Sequence, residues 1–145
     1  MELLENVRCW LIQEKVGLLP EAKLIELVDE KITEIDEPPD YLIAISLRER
    51  IDHISRLDLV KDRVDNKDCA IVANKMLSAL HEGAISYDDI GLYSLNLCQI
   101  LACQEGAYVD FDWITDEVYL MNEGVKEQEQ SKKDIVSVLK GLSEL

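Results

Sequence analysis

Apolar residues recur at intervals of three and four along most of the chain, the period of an α-helix. Leu4, Val7, Leu11 and Ile12 share one side of residues 2 to 16, and the pattern stops at Gly17. Pro20 suits the first turn of a second helix, because its missing N–H costs nothing there. In that helix Leu24, Leu27, Val28, Ile32 and Ile35 recur at helical spacing. The segment DEPP at 36–39 ends it, since a residue before proline avoids the α region. The next stretch, DYLIAISLRERIDHISRL, opens with an apolar run over 41–47 that would also suit a buried strand. Ile43, Leu47, Ile51 and Ile54 continue at helical intervals, so the spacing predicts a third helix with those residues inward.

KDRVDNKD at 61–68 reads as a polar connector. A helix follows to about His81, with Val72, Met76, Ala79 and Leu80 inward and Gly83 closing it. Ser86 is placed as an N-cap, with Asp89 in the reciprocal capping-box position, where Asp is a weaker partner than Glu. The helix that it starts contains IGLYSLNLCQILACQ, apolar nearly all round. That composition predicts a central, buried helix, ended by Gly106. Two more helices are expected, one over about 110–123 and one from Ser131 to about Leu142. Ile135, Val138, Leu139 and Leu142 face inward in the last. The glycines read as helix stops. There is no hairpin signal, internal repeat, low-complexity segment or linker. The pattern therefore predicts an all-α fold, a single compact domain of about six to seven helices spanning residues 1–145.

Composition narrows the functional classes. The chain has 145 residues, 48% of them hydrophobic, which suffices for a core. Its formal net charge is −15. A polyanion surface disfavours both nucleic acid and anionic membrane, and favours a basic protein partner or simple solubility. No stretch approaches the roughly 18 apolar residues of a membrane span. The start, MELLENVRCW, lacks a basic region and an apolar run, so a cytoplasmic location is expected. Cys9, Cys69, Cys98 and Cys103 form no CxxC, and are expected to be reduced, buried thiols.

The distribution of charge changes the picture more than its total. Acids and bases mix through residues 1–75, but residues 76–125 contain no Lys and no Arg. They contain nine acids: Glu82, Asp88, Asp89, Glu105, Asp110, Asp112, Asp116, Glu117 and Glu123. The densest piece is YVDFDWITDEVYL, residues 108–120, with four carboxylates among four aromatic rings. On a helix it divides into two stripes. Phe111, Ile114, Val118 and Met121 step by three and four and form the inward one. Asp112, Asp116, Tyr119 and Glu123 form a second beside it. Two explanations stay open for these acids. They are a solvated face, partly stabilised by a helix N-terminus if Asp110 and Asp112 sit in a first turn or if Thr115 caps one. Or they are a face for a cationic partner, with Tyr87, Asp88, Asp89, Tyr108, Asp110, Asp112, Trp113, Asp116, Glu117, Tyr119 and Glu123 as the candidate contact residues.

Catalytic signals are poor. His53 and His81 have no motif around them, and no HExxH, GxSxG, Walker or GxGxxG pattern occurs. Asp88–Asp89 and Asp110–Asp112 are the only paired acids worth weighing for metal or acid–base work. They lack EF-hand spacing and the ExxH pairs of a di-iron bundle. The expectation is a protein that is not an enzyme, with no metal and no cofactor.

The small size, acidity and helical character resemble the bacterial immunity proteins, the antitoxins of contact-dependent growth inhibition and related polymorphic toxin systems. The stretch EIDEPPDYLIAISL, residues 34–47, resembles an element of small bacterial helical proteins. The resemblance implies one-to-one binding of a toxin domain, often basic when the toxin attacks nucleic acid. The expected function is a cytosolic acidic inhibitor that neutralises a basic, nuclease-like toxin domain. The alternative is a helical adaptor or secretion-type chaperone that binds a client segment.

Overall fold

A computed structural model describes residues 3–47, 64–101 and 106–145. Seven helices and no strand occur among the described residues, as the periodicity predicts. The chain groups into two compact units, Met1–Arg63 and Val64–Leu145.

The first unit holds α1 (Leu3–Val16), α2 (Glu21–Glu34) and α3 (Asp40–Leu47). The helix α2 packs against both others. Val7, Leu11, Ile12 and Val16 of α1 are buried, as are Leu24 and Val28 of α2. Gly17 takes φ 110°, a left-handed conformation that ends α1 without a Cβ penalty. Leu4 lies in the first turn of α1 and is exposed, against expectation. In α3 the buried residues are Leu42 and Ile45, whereas Ile43 and Leu47 face solvent. A continuously apolar run offers every face to the core, so periodicity within it could not choose the right one. The hydroxyl of Ser46 donates to the carboxylate of Asp29, tying α3 to α2. The rest of the third helix expected from the sequence, with Ile51, His53 and Ile54, lies outside the described residues, as do Lys61, Asp62 and Arg63 of the connector.

The second unit holds α4 (Asn66–His81), α5 (Tyr87–Cys98), α6 (Gly106–Asn122) and α7 (Gln128–Ser143). Neighbouring pairs are α5 with α6, α6 with α7, and α4 with α7. Asp65 caps α4 in a box with Asp68: each side chain accepts from the other's backbone N–H at 3.0 Å. The connector 61–68 therefore ends as a helix start. Ser86 and Asp89 form the expected box at α5. Cys69, Val72, Ala73, Met76, Ile90, Leu97, Phe111, Ile114, Ile135 and Leu139 supply the core. Ala79, Leu80 and Val138 are only half-buried.

Two expectations about this unit are corrected. The helix α5 is not buried all round: Leu92 and Leu95 point outward, because only the side bearing Ile90, Gly91, Ser94 and Leu97 meets other helices. Not every glycine is a stop. Gly83 and Gly124 end helices at φ 75° and 73°, but Gly106 begins α6 and Gly91 sits inside α5. The last helix also starts earlier than Ser131. Glu127 caps it, accepting from the N–H groups of Glu129 at 2.9 Å and Gln130 at 2.7 Å.

Candidate functional site

The outward face of α5 and α6 is built by a close, antiparallel crossing. Asn122, at the end of α6, donates from its amide to the carboxylate of Asp88, near the start of α5. At the other end the Cys98 thiol lies 3.7 Å from the carbonyl oxygen of Tyr108. Between them the Thr115 hydroxyl donates to the carbonyls of Phe111, at 3.0 Å, and Gly91, at 3.5 Å. Gly91 is what permits this approach, since any Cβ there would meet Val118.

The inward stripe Phe111, Ile114, Val118 and Met121 is buried throughout. Asp112, Asp116, Tyr119 and Glu123 are exposed, and Tyr119 shows 63% of its surface. Val109 precedes them at the same spacing and is exposed too. The stripe thus runs Val109, Asp112, Asp116, Tyr119, Glu123, in steps of three and four. Asp88, Leu92 and Leu95 of α5, with its C-cap Gln99, make a matching outward stripe in steps of four, three and four. Asp88 belongs to this stripe and is joined to Asn122, next to Glu123, so the two stripes lie on adjoining faces.

Several candidate residues do not belong to this face. Glu117 is buried, with 3% of its side chain exposed. It accepts from the ammonium of Lys126 at 2.8 Å and from the hydroxyl of Ser131 at 3.0 Å. Its counter-charge sits one residue beyond the base-free segment, across the turn into α7. Glu117 is thus paired by a base from outside the 76–125 segment. Asp89 is half-buried and its carboxylate accepts from the Ser86 N–H at 2.9 Å, so its work is capping. Tyr87 is half-buried under Lys132, whose ammonium stands 5.5 Å from the ring centre. Burial, and then the charge of Glu129, hold its hydroxyl pKa above the ordinary 10.0. Trp113 and Tyr108 are half-buried at the edges, and Asp110 is exposed but off the stripe by helical spacing. Glu105 lies outside the described residues.

The helix-dipole account fails for the acids of α6, whereas Asp88 and Asp89 do lie in the first turn of α5. Since α6 begins at Gly106, no acid lies in its first turn, and Thr115 is mid-helix. Glu123 sits at the other end, where the dipole is negative and a carboxylate is disfavoured.

Leu92, Leu95 and Val109 were missed as face residues because apolar side chains in a helix read first as core. The signal available was the spacing from Asp88, four residues before Leu92.

Among the described residues no three His, Cys, Asp or Glu side chains converge. A recess of about 460 Å³ runs along α2, lined by Ala22, Ile25, Glu26, Asp29, Glu30 and Thr33. Its polar groups are partly committed: Asp29 accepts from Ser46, and Thr33 donates to the carbonyl of Glu30. No described helix is long and apolar enough to cross a membrane. No family model, curated protein or solved structure matches the chain.

Proposed function

We propose that the chain is an acidic inhibitor of the immunity-protein kind, acting in the cytoplasm by covering a basic toxin domain, nuclease-like in its surface charge. One observation carries this reading. The outward stripe of α6 presents Asp112, Asp116 and Glu123 around an exposed tyrosine, in a segment without Lys or Arg. Such a surface accelerates encounter with a cationic protein and repels nucleic acid and anionic lipid. Tyrosine supplies rigid contact area at a low entropy cost.

Charge reversal tests the reading. Asp112→Lys combined with Asp116→Lys changes two exposed side chains and leaves the core untouched. The parent should rescue growth of cells that express the basic toxic domain encoded beside it, and the variant should not. Equal rescue by both proteins would remove the proposed face. The exposed Leu92 and Leu95 favour a second reading, a helical adaptor or secretion-type chaperone. In that case an isolated client segment would bind as tightly as the whole client.

A further inference from the structure

The acidic residues alone do not account for the surface. Leu92 is 53% exposed and Leu95 44% exposed on the α5 stripe. Val109 and Tyr119 are exposed on the α6 stripe beside it. Acidic groups frame these four: Asp88 on α5, and Asp112, Asp116 and Glu123 on α6. Leu92 and Leu95 lie one turn apart at the centre of an outward stripe, so their apolar surface is adjoining rather than scattered.

From this arrangement, and resting on the proposed acidic-face reading, we infer that the α5–α6 face receives a basic amphipathic helix, with Leu92 and Leu95 as its apolar seat. The nature of the occupant follows by elimination. An added β-strand needs unpaired backbone N–H and C=O groups along an edge. Helices α5 and α6 use theirs internally, so they offer a strand little. A second copy of this chain would bring the same carboxylates together and be repelled. A nucleic-acid backbone is repelled for the same reason. A helix instead lays apolar residues, spaced by three and four, along the seam between two helices. Lysine or arginine on it would then reach Asp88 at one end of the α5 stripe and Asp112 or Asp116 on the α6 stripe beside it.

Two synthetic helical peptides of equal length and equal lysine content test this on the full chain. One carries leucine at i, i+3 and i+7, and the other carries glutamine at those positions. Calorimetry at low ionic strength should give the leucine peptide about tenfold or more the affinity of its partner, for two leucines partly removed from water. Leu92→Gln with Leu95→Gln should abolish that preference and leave the glutamine peptide's weaker binding unchanged. Both positions are exposed, so the variant retains the core. Equal affinity of the two peptides for the parent overturns the apolar seat alone, as does a preference that survives in the variant. Failure of both peptides to bind overturns the acidic face as well.

Discussion

Gly91 of α5 and Val118 of α6 meet with no room for a side chain between them. A Cβ built on Gly91 would lie 2.9 Å from Val118 Cγ1 and 3.0 Å from Val118 Cβ. A β-branched residue in a helix has one strongly preferred rotamer, so Val118 cannot swing aside cheaply. Glycine inside a helix costs about 1 kcal/mol relative to alanine, and close packing is what the chain gains in return. Gly91→Ala should therefore lower the urea midpoint, with overpacking of about 1–3 kcal/mol exceeding the propensity gain. In a double-mutant cycle with Val118→Ala, the two losses should be less than additive. A higher midpoint for Gly91→Ala would show that the helices stand further apart.

The Glu117–Lys126 pair joins a buried carboxylate to a side chain that is 45% exposed. Lys126→Met should destabilise by about 1–3 kcal/mol, chiefly because Glu117 is left buried with only the Ser131 hydroxyl. The half-exposed ammonium keeps this below the full cost of breaking a buried pair. Glu117→Gln in the Lys126→Met background should recover part of the loss in thermal melts. A Lys126→Met protein as stable as the parent would mean that water already solvates Glu117.

The Ser94 hydroxyl is fully buried and has no hydrogen-bond partner among the described residues. An unsatisfied buried hydroxyl costs about 1–3 kcal/mol, so Ser94→Ala should be neutral or stabilising by up to about that amount. Calorimetric melting checks this, and a clear loss of stability would point to a donor or acceptor near Ser94.

The outward carboxylates of α6 are arranged against its stability. Asp112 and Asp116 are like charges four residues apart, a cost of about 0.2–0.5 kcal/mol. Glu123 lies at the negative end of the dipole, a further cost of about 0.3–1 kcal/mol. Asp112→Asn with Glu123→Gln should raise stability by about 0.5–1.5 kcal/mol while weakening binding of a basic partner. If stability is unchanged, solvent screening has already removed the repulsion.

Glu127 gives a pH signature. The backbone N–H of Gln130, and then that of Glu129, hold its carboxyl below the ordinary 4.5. A depressed folded pKa stabilises above the unfolded value and is lost as pH falls through the folded one. Glu127→Gln should thus narrow its stability gap from the parent as the pH drops below about 4.5. A gap of constant size across that range would show that the cap does not depend on charge.

The sequence exposes some of these features and hides others for physical reasons. The inward stripe of α6 is legible because its period is uninterrupted, and the Ser86–Asp89 box because both partners lie within four residues. The burial of Glu117 is hidden because Lys126 and Ser131 reach it across a turn, from nine and fourteen residues away. Ser131 resembles an N-cap by residue type, yet its hydroxyl serves Glu117 while a glutamate caps the helix. The outward leucines of α5 are hidden because composition reports how apolar a helix is, not how many neighbours cover it.

The absence of Lys and Arg from residues 76–125 also governs how a protease meets the chain. Trypsin cuts after Lys and Arg, so the whole stretch from Met76 to Lys126 leaves as one peptide, with α5 and α6 intact inside it. The downstream cut falls in an exposed turn, where proteases ordinarily find easy access. There the Lys126 side chain that trypsin must grip is held by Glu117. Cleavage at that single bond therefore waits for the ion pair to open.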